Sequence, residues 1–246
     1  IGDAEIIMTE LILADVESTQ GQLQKNLKKA RGQDKDASAN VALLEKLIPH
    51  LDDGKPANLL PMDEDERVRL KSFFLLSAKS MLYACNLKED EIADPFSSEH
   101  LAKFQEWAAD QQDADCCVIS AKMEEELSEL SDEDAKEYLE TMDVLDSGVS
   151  SLIKTSYDLL GLASFLTAGE KEARAWTFSQ GMTAPQCAGV IHSDFEKNFI
   201  KAEVVSYPDL IDAGSMQAAR ESGKWRLEGK EYLMVDGDVV LFKCNA

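Results

Sequence analysis

Histidine is scarce in this 246-residue chain. Only His50, His100 and His192 occur, none at metal-ligand spacing with a cysteine or another histidine, which argues against a structural zinc site. The five cysteines (Cys85, Cys116, Cys117, Cys187 and Cys244) are odd in number and include no C-x-x-C pair. Cys116 and Cys117 are adjacent, and neighbouring cysteines rarely form an unstrained disulfide. Free thiols acting as small hydrophobes in a reducing cytosol are the expectation. No uninterrupted run of 18 apolar residues occurs, so no segment reads as membrane-spanning. The opening IGDAEIIMTE is amphipathic and acidic, unlike a signal peptide. It starts at Ile1, not Met, and an upstream portion is expected. Low-complexity sequence and internal repeats are also lacking.

Positive charge is the largest deficit. There are 25 Lys and Arg against 47 Asp and Glu, a net charge of −22. Residues 1–160 hold 16 basic against 35 acidic side chains, and residues 161–246 hold 9 against 12. Long-range repulsion of this size disfavours general polyanion binding. No DNA and no membrane partner is expected, and the near-neutral C-terminal part is the place to look for an RNA-facing surface. The apolar content, 44%, and charged content, 29%, are those of a globular protein that buries its cores without staples.

Periodicity divides the chain into three stretches, expected at 1–62, 63–160 and 161–246. The first predicts an antiparallel helical hairpin between Asp3 and Leu51. Its stripes are Ile7, Leu11 and Ala14, continued by Leu23 and Leu27, and answered by Val41, Leu44, Leu47, Ile48 and Leu51. The polar stretch RGQDKDAS around Gly32 supplies the break. In the second stretch, Asp63 and Glu66 have the spacing of a capping box and open a helix through Val68, Leu70 and Phe74. MLYAC (81–85) and DCCVIS (115–120) read as short strands, with helices at 98–111, 132–142 and 149–160. Strands alternating with helices predict a parallel sheet, but two strands fall short of a complete doubly wound domain.

The third stretch predicts short strands with small helices, as in a β-grasp module. Strands are expected at 172–178 and 199–207, and helices at 184–192 and 215–223. EYLMV and VVLFK are expected to form a hairpin around Asp236-Gly237-Asp238, because Asp-Gly favours a tight turn. The fold class expected for the whole is thus α/β plus α+β.

Candidate chemistry sits where the two parallel strands end, because open α/β sheets bind ligands beyond the carboxyl ends of their strands. The first strand runs into Asn86-Leu87-Lys88-Glu89, the second into Ser120-Ala121-Lys122. This pairing is similar to the base-recognition loops of the GTPase class, N-K-x-D and S-A-K. In that pattern the aspartate accepts two hydrogen bonds from guanine. Here Glu89 is one methylene longer and Leu87 replaces the lysine. The guanine contact should be lost, and a missing bidentate pair forfeits discrimination of ~1–3 kcal/mol. Adenine becomes the expected base, with Asn86 bracing the loop, Leu87 against the purine and Ser120, Ala121 and Lys122 lining its other side.

The C-terminal third strengthens this reading. FLTAGEKEARAWTF, GMTAPQCAGVIHSDFEKNFIKAEV and GKWRLEGKEYLMVDGDVVLF resemble the C-terminal signature of the YchF/Obg-like ATPase family, whose last domain is a TGS domain of β-grasp fold. The order of segments agrees along the whole chain: a helical insertion, the second half of a P-loop NTPase domain, then TGS. The resemblance implies ATP preferred over GTP, Mg²⁺-dependent hydrolysis in the parent protein, and association with the ribosome or its RNA. The family's G-x-x-x-x-G-K-[ST] loop, which cradles phosphates and holds the metal, has no counterpart in these residues. The chain alone is therefore expected to be inactive, with no catalytic and no metal-ligating residue of its own and no tightly bound ATP or Mg²⁺. Lys197, Lys201, Arg220, Lys224, Arg226 and Lys230 are the candidates for an RNA- or ribosome-facing surface, while the neighbouring Phe195, Phe199 and Trp225 read as core. The runner-up reading is a non-catalytic module that binds ribosome or RNA through TGS. His192 reads as a hydrogen-bonded structural residue.

Overall fold

The computed structural model describes all residues except 96, 97, 110, 112, 113, 143, 145, 170, 171 and 246. The chain forms two compact units, Ile1–Thr155 and Ser156–Ala246.

The first unit opens with helices α1 (Gly2–Ala30) and α2 (Lys35–Asp52), packed as a hairpin. The side chain of Asp34 caps α2 by accepting from the N–H of Ala37, at 3.0 Å. The core of the hairpin contains Ile12, Leu43, Leu44, Leu47, Leu51, Phe73 and Leu75. The face of α1 differs from the one its apolar spacing suggested. Ile12, Asp15 and Thr19 are buried, whereas Ile7 is 57% exposed. Asp15 sets that face. Its carboxylate accepts from Leu76 N–H (2.8 Å), Ser77 N–H (2.7 Å) and the Ser77 hydroxyl (2.6 Å). A buried carboxylate with three donors is satisfied, and it ties the 72–77 turn to the middle of α1.

The expected capping box is present at α3 (Glu64–Lys71), with Glu66 N–H donating to Asp63 at 2.8 Å. The helix stops at Lys71 and does not extend to Phe74, whose φ of +54° is outside any right-handed helix. Strand β1 (Met81–Asn86) pairs in parallel with β2 (Ala114–Ile119), with Tyr83 opposite Cys116 and Asn86 opposite Ile119. Between them lie α4 (Glu89–Ile92) and α5 (Glu99–Ala109). Tyr83 meets Phe104 and Trp107 edge-on and those two rings are tilted against each other, a cluster fixing α5 to β1 with centroids 5.3–5.5 Å apart. Three helices follow β2: α6 (Ala121–Ser128), α7 (Asp132–Thr141) and α8 (Gly148–Leu159).

The second unit contains strands β3 (Leu162–Ala168), β4 (Ala173–Ser179), β5 (Phe199–Ser206), β6 (Arg226–Glu228) and β7 (Asp238–Cys244). They form one mixed sheet in the order β4-β3-β7-β5-β6, in which β3 and β7 are parallel and the other pairs antiparallel. Helices α9 (Ala184–Ile191), α10 (Ser193–Lys197), α11 (Tyr207–Ala213) and α12 (Met216–Glu221) connect the strands. The main core gathers around Phe165, Phe178, Cys187, Phe199 and Val204, and a smaller one around Val205, Ala219 and Val239.

The EYLMV–VVLFK hairpin does not form. Leu233 makes an isolated bridge to Thr183, while β7 pairs with β5 and β3. The Asp-Gly turn is real, since Gly237 has φ +76°. It redirects the chain into the middle of the sheet because Asp238 is buried and held there. Its carboxylate accepts from the Tyr232 hydroxyl (2.8 Å) and from Val235 N–H (3.0 Å).

Candidate functional site

The ends of β1 and β2 lie side by side, because parallel pairing brings their carboxyl ends to one edge. One further rung, Leu87 N–H to Ile119 C=O at 2.8 Å, continues the ladder past Asn86. The side chain of Asn86 then crosses to the neighbouring chain segment and accepts from the N–H of Ala121 at 2.9 Å. That N–H is one of the orphan donors at the start of α6, so Asn86 caps the helix from the adjacent strand end.

Glu89 and Lys122 complete the stitching. Glu89 opens α4, and its Oε2 accepts from Lys122 Nζ at 2.8 Å. Lys122 is drawn upward from its ordinary pKa, first by that hydrogen bond and then by the Glu89 charge. As Lys122 is exposed, the pair contributes little to stability but restricts where the Glu89 carboxylate points. The second oxygen of that carboxylate, Oε1, is buried and has no hydrogen-bond partner among the described residues. A buried carboxylate oxygen left without a donor is costly and points to a missing N–H or O–H. Ser120 is buried at the start of α6. Ala121 and Lys122, read from sequence as loop residues, form the first turn of this helix.

Two contributors had no signature in the sequence. Gly148 opens α8 against the end of β2, where an added Cβ would lie 2.9 Å from Ile119 Cα. Its N–H donates to Glu124 Oε1 at 2.6 Å. Glycine is thus required by close approach, and Glu124 uses its charge to cap α8. An open cleft of about 400 Å³ lies beside this contact, lined by Val118, Ser120, Met123, Ser147 and Ser150 among others. Ser120 is the one sequence-predicted site residue that lines it.

The C-terminal cations are spread over several elements and are partly neutralised. Arg220 pairs with Glu203 at 2.9 Å, Lys224 with Asp209 at 3.0 Å, and Arg226 with Glu228 and Asp238 at 3.5 and 3.8 Å. Lys197, Lys201 and Lys230 make no ion pair among the described residues. Phe199 is buried, Trp225 packs against the smaller core with Arg220 over its ring, and Phe195 is 40% exposed. His192 accepts from Asp194 N–H through Nδ1 at 3.2 Å, a local helix cap.

Paired parallel strand ends of this kind, joined in one chain to a mixed five-stranded sheet, define a mixed α/β protein with its candidate ligand site at the strand termini. The chain belongs to the YchF family. It is 47% identical over 245 residues to the "Ribosome-binding ATPase YchF" of Bacillus subtilis, an alignment covering 100% of this chain and 67% of that protein. The protein of the same name from Haemophilus influenzae is 40% identical, with 100% and 66% covered. A family model, YchF-GTPase_C, described as "Protein of unknown function (DUF933)", matches residues 162–245. Among solved structures, the Schizosaccharomyces pombe YchF GTPase superposes with a TM-score of 0.78 at 32% identity, covering 98% of this chain and 65% of that one. A GTP binding protein from Pyrococcus horikoshii shares the fold at TM-score 0.59 and 17% identity. The chain spans about two thirds of the length of these relatives.

Proposed function

We propose that Asn86, Leu87, Glu89, Ser120, Ala121 and Lys122 form the base-recognition part of a purine-nucleotide site in a cytoplasmic, ribosome-associated ATPase that prefers ATP to GTP. The observation that carries the reading is the unpartnered, buried Oε1 of Glu89 between two segments already tied together by Asn86. A carboxylate oxygen only accepts, so it fits a ligand N–H. Both purines present N–H donors, so the preference for adenine rests on the length of Glu89, one methylene more than the aspartate that accepts two hydrogen bonds from guanine in the similar loops. The names of the relatives, ribosome-binding ATPases, agree with this reading.

Phosphate and Mg²⁺ contacts are assigned to no residue of this chain, which contains no G-x-x-x-x-G-K-[ST] string. Hydrolysis belongs, in this proposal, to a protein that also carries such a loop, and bound Mg²⁺ there would neutralise charge on the transferring phosphate. The organisation proposed is a helical insertion at 1–62, the second half of a P-loop NTPase domain at 63–160 and a TGS domain at 161–246. The sheet order, with first and last strands parallel at its centre, supports a β-grasp reading of the last part.

A second reading, a non-catalytic module binding ribosome or RNA through the TGS domain, draws on Lys197, Lys201 and Lys230, which make no ion pair among the described residues. Calorimetric titration of ATP and GTP separates the two. The titrations use this chain and a form extended upstream to the length of its relatives. Tight, ATP-selective binding by the extended form supports the site; no nucleotide binding by either form leaves the binding module as the better account.

A further inference from the structure

Among the described residues, Phe74 is the most exposed large apolar side chain, at 79%, and it has φ +54°. It lies just past the end of α3, a place where a left-handed residue is common but is usually glycine. A bulky side chain in that conformation is strained, and it persists because its neighbours over-determine it. Phe73 and Leu75, on either side, are buried in the hairpin core. The Phe73 carbonyl accepts from the Gln22 amide at 3.0 Å, and Asp15 clamps Leu76 and Ser77. A rigid frame therefore presents an aromatic ring to solvent.

Phe74 borders a surface groove of about 770 Å³ running along α1, which Gln22, Lys25, Asn26, Lys29 and Ser72 also line. One acid, Glu17, also lines it. Although the chain carries −22, the stretch from Lys25 to Lys35 sets five cations (Lys25, Lys28, Lys29, Arg31 and Lys35) against Asp34 alone. All five are exposed, and none forms an ion pair among the described residues. The Asp34 side chain is committed to capping α2.

We propose that this groove is a contact for single-stranded RNA, with Phe74 stacking on an unpaired base and Lys25 and Lys29 holding the adjoining phosphates. Unpaired bases offer an apolar face that stacks on aromatic rings irrespective of sequence, and a cationic track beside the ring follows the backbone. The groove supplies both, whereas a duplex keeps its base faces stacked. This groove lies within the first unit and uses none of the residues assigned to the nucleotide site or to the C-terminal cations, so either proposal can fail without the other.

The test is fluorescence anisotropy of the full chain with a labelled 12-nucleotide oligouridylate between 50 and 200 mM salt. Phe74→Ala should weaken binding about tenfold, and Phe74→Tyr should retain it. Lys25→Gln with Lys29→Gln should lower the slope of log affinity against log salt by about 1.4, the value for two lost phosphate contacts on a single strand. Phe74→Gly relieves the backbone strain, so its melting temperature should hold or rise while RNA affinity falls, which excludes misfolding as the cause. Absence of oligonucleotide binding by the parent chain overturns the proposal. So does equal binding by the Phe74 and lysine variants, or a loss confined to Arg220→Gln with Lys224→Gln; Phe74 would then await a protein partner.

Discussion

Asn86 serves two purposes, and the pairing is visible only in three dimensions. Its amide oxygen caps α6 across the sheet edge and thereby fixes the spacing between the two strand termini. Asn86→Ala should lower stability by about 1 kcal/mol, the usual cost of a lost helix cap, measured by urea denaturation. Asp15 carries more: with three donors on one buried carboxylate, Asp15→Ala should cost about 3 kcal/mol by the same measurement, because the donors stay buried and unpaired. Cys187 is fully buried, and that burial pushes its thiol up to about 12. Its ordinary value is near 9, so between pH 9 and about 12 the unfolded chain loses a proton that the folded chain keeps. Stability contributed by the neutral thiol is therefore present below pH 9 and declines as pH rises. A thiol reagent at pH 8 should leave Cys187 unmodified until denaturant is added.

At the scale of elements, the hairpin, the two parallel strands and most helices were legible from spacing, since each has a sustained period of its own. Failures fall where a polar tertiary contact overrides periodicity. Asp15 turns α1 so that Ile7 faces outward, and Asp238 draws VVLFK into the sheet in place of a hairpin. Strand β3 and α11 also escaped notice because each is short and takes its boundaries from its neighbours. Of the candidate site, the Asn86–Glu89 and Ser120–Lys122 segments were readable as strand ends, but the contribution of Gly148 was not, because a lone glycine has no pattern. Gly148→Ala should push α8 away from Ile119 and lower the melting temperature. Gly161→Ala, a site with open space but φ +59°, tests the alternative cause of backbone conformation alone. If Gly148→Ala melts with the parent chain, the close approach has no energetic consequence.

On the scale of the whole molecule, the two units differ in how their sheets are finished. The five-stranded sheet has a continuous core, whereas β1 and β2 form a two-stranded sheet. Two strands are few to hold a sheet, and an unpaired edge invites association. Residues 1–160 should therefore be cut faster in limited proteolysis than 161–246; equal resistance would count against this difference. The central claim is that Glu89 selects the base, and the most direct measurement is the ratio of ATP to GTP affinity before and after Glu89→Asp. The titrations use the extended form, to which the proposal assigns the phosphate contacts. The account predicts a clear ATP preference in the parent that the shorter aspartate abolishes or reverses. An unchanged ratio would contradict it, and base selection would have to be sought in residues other than Glu89.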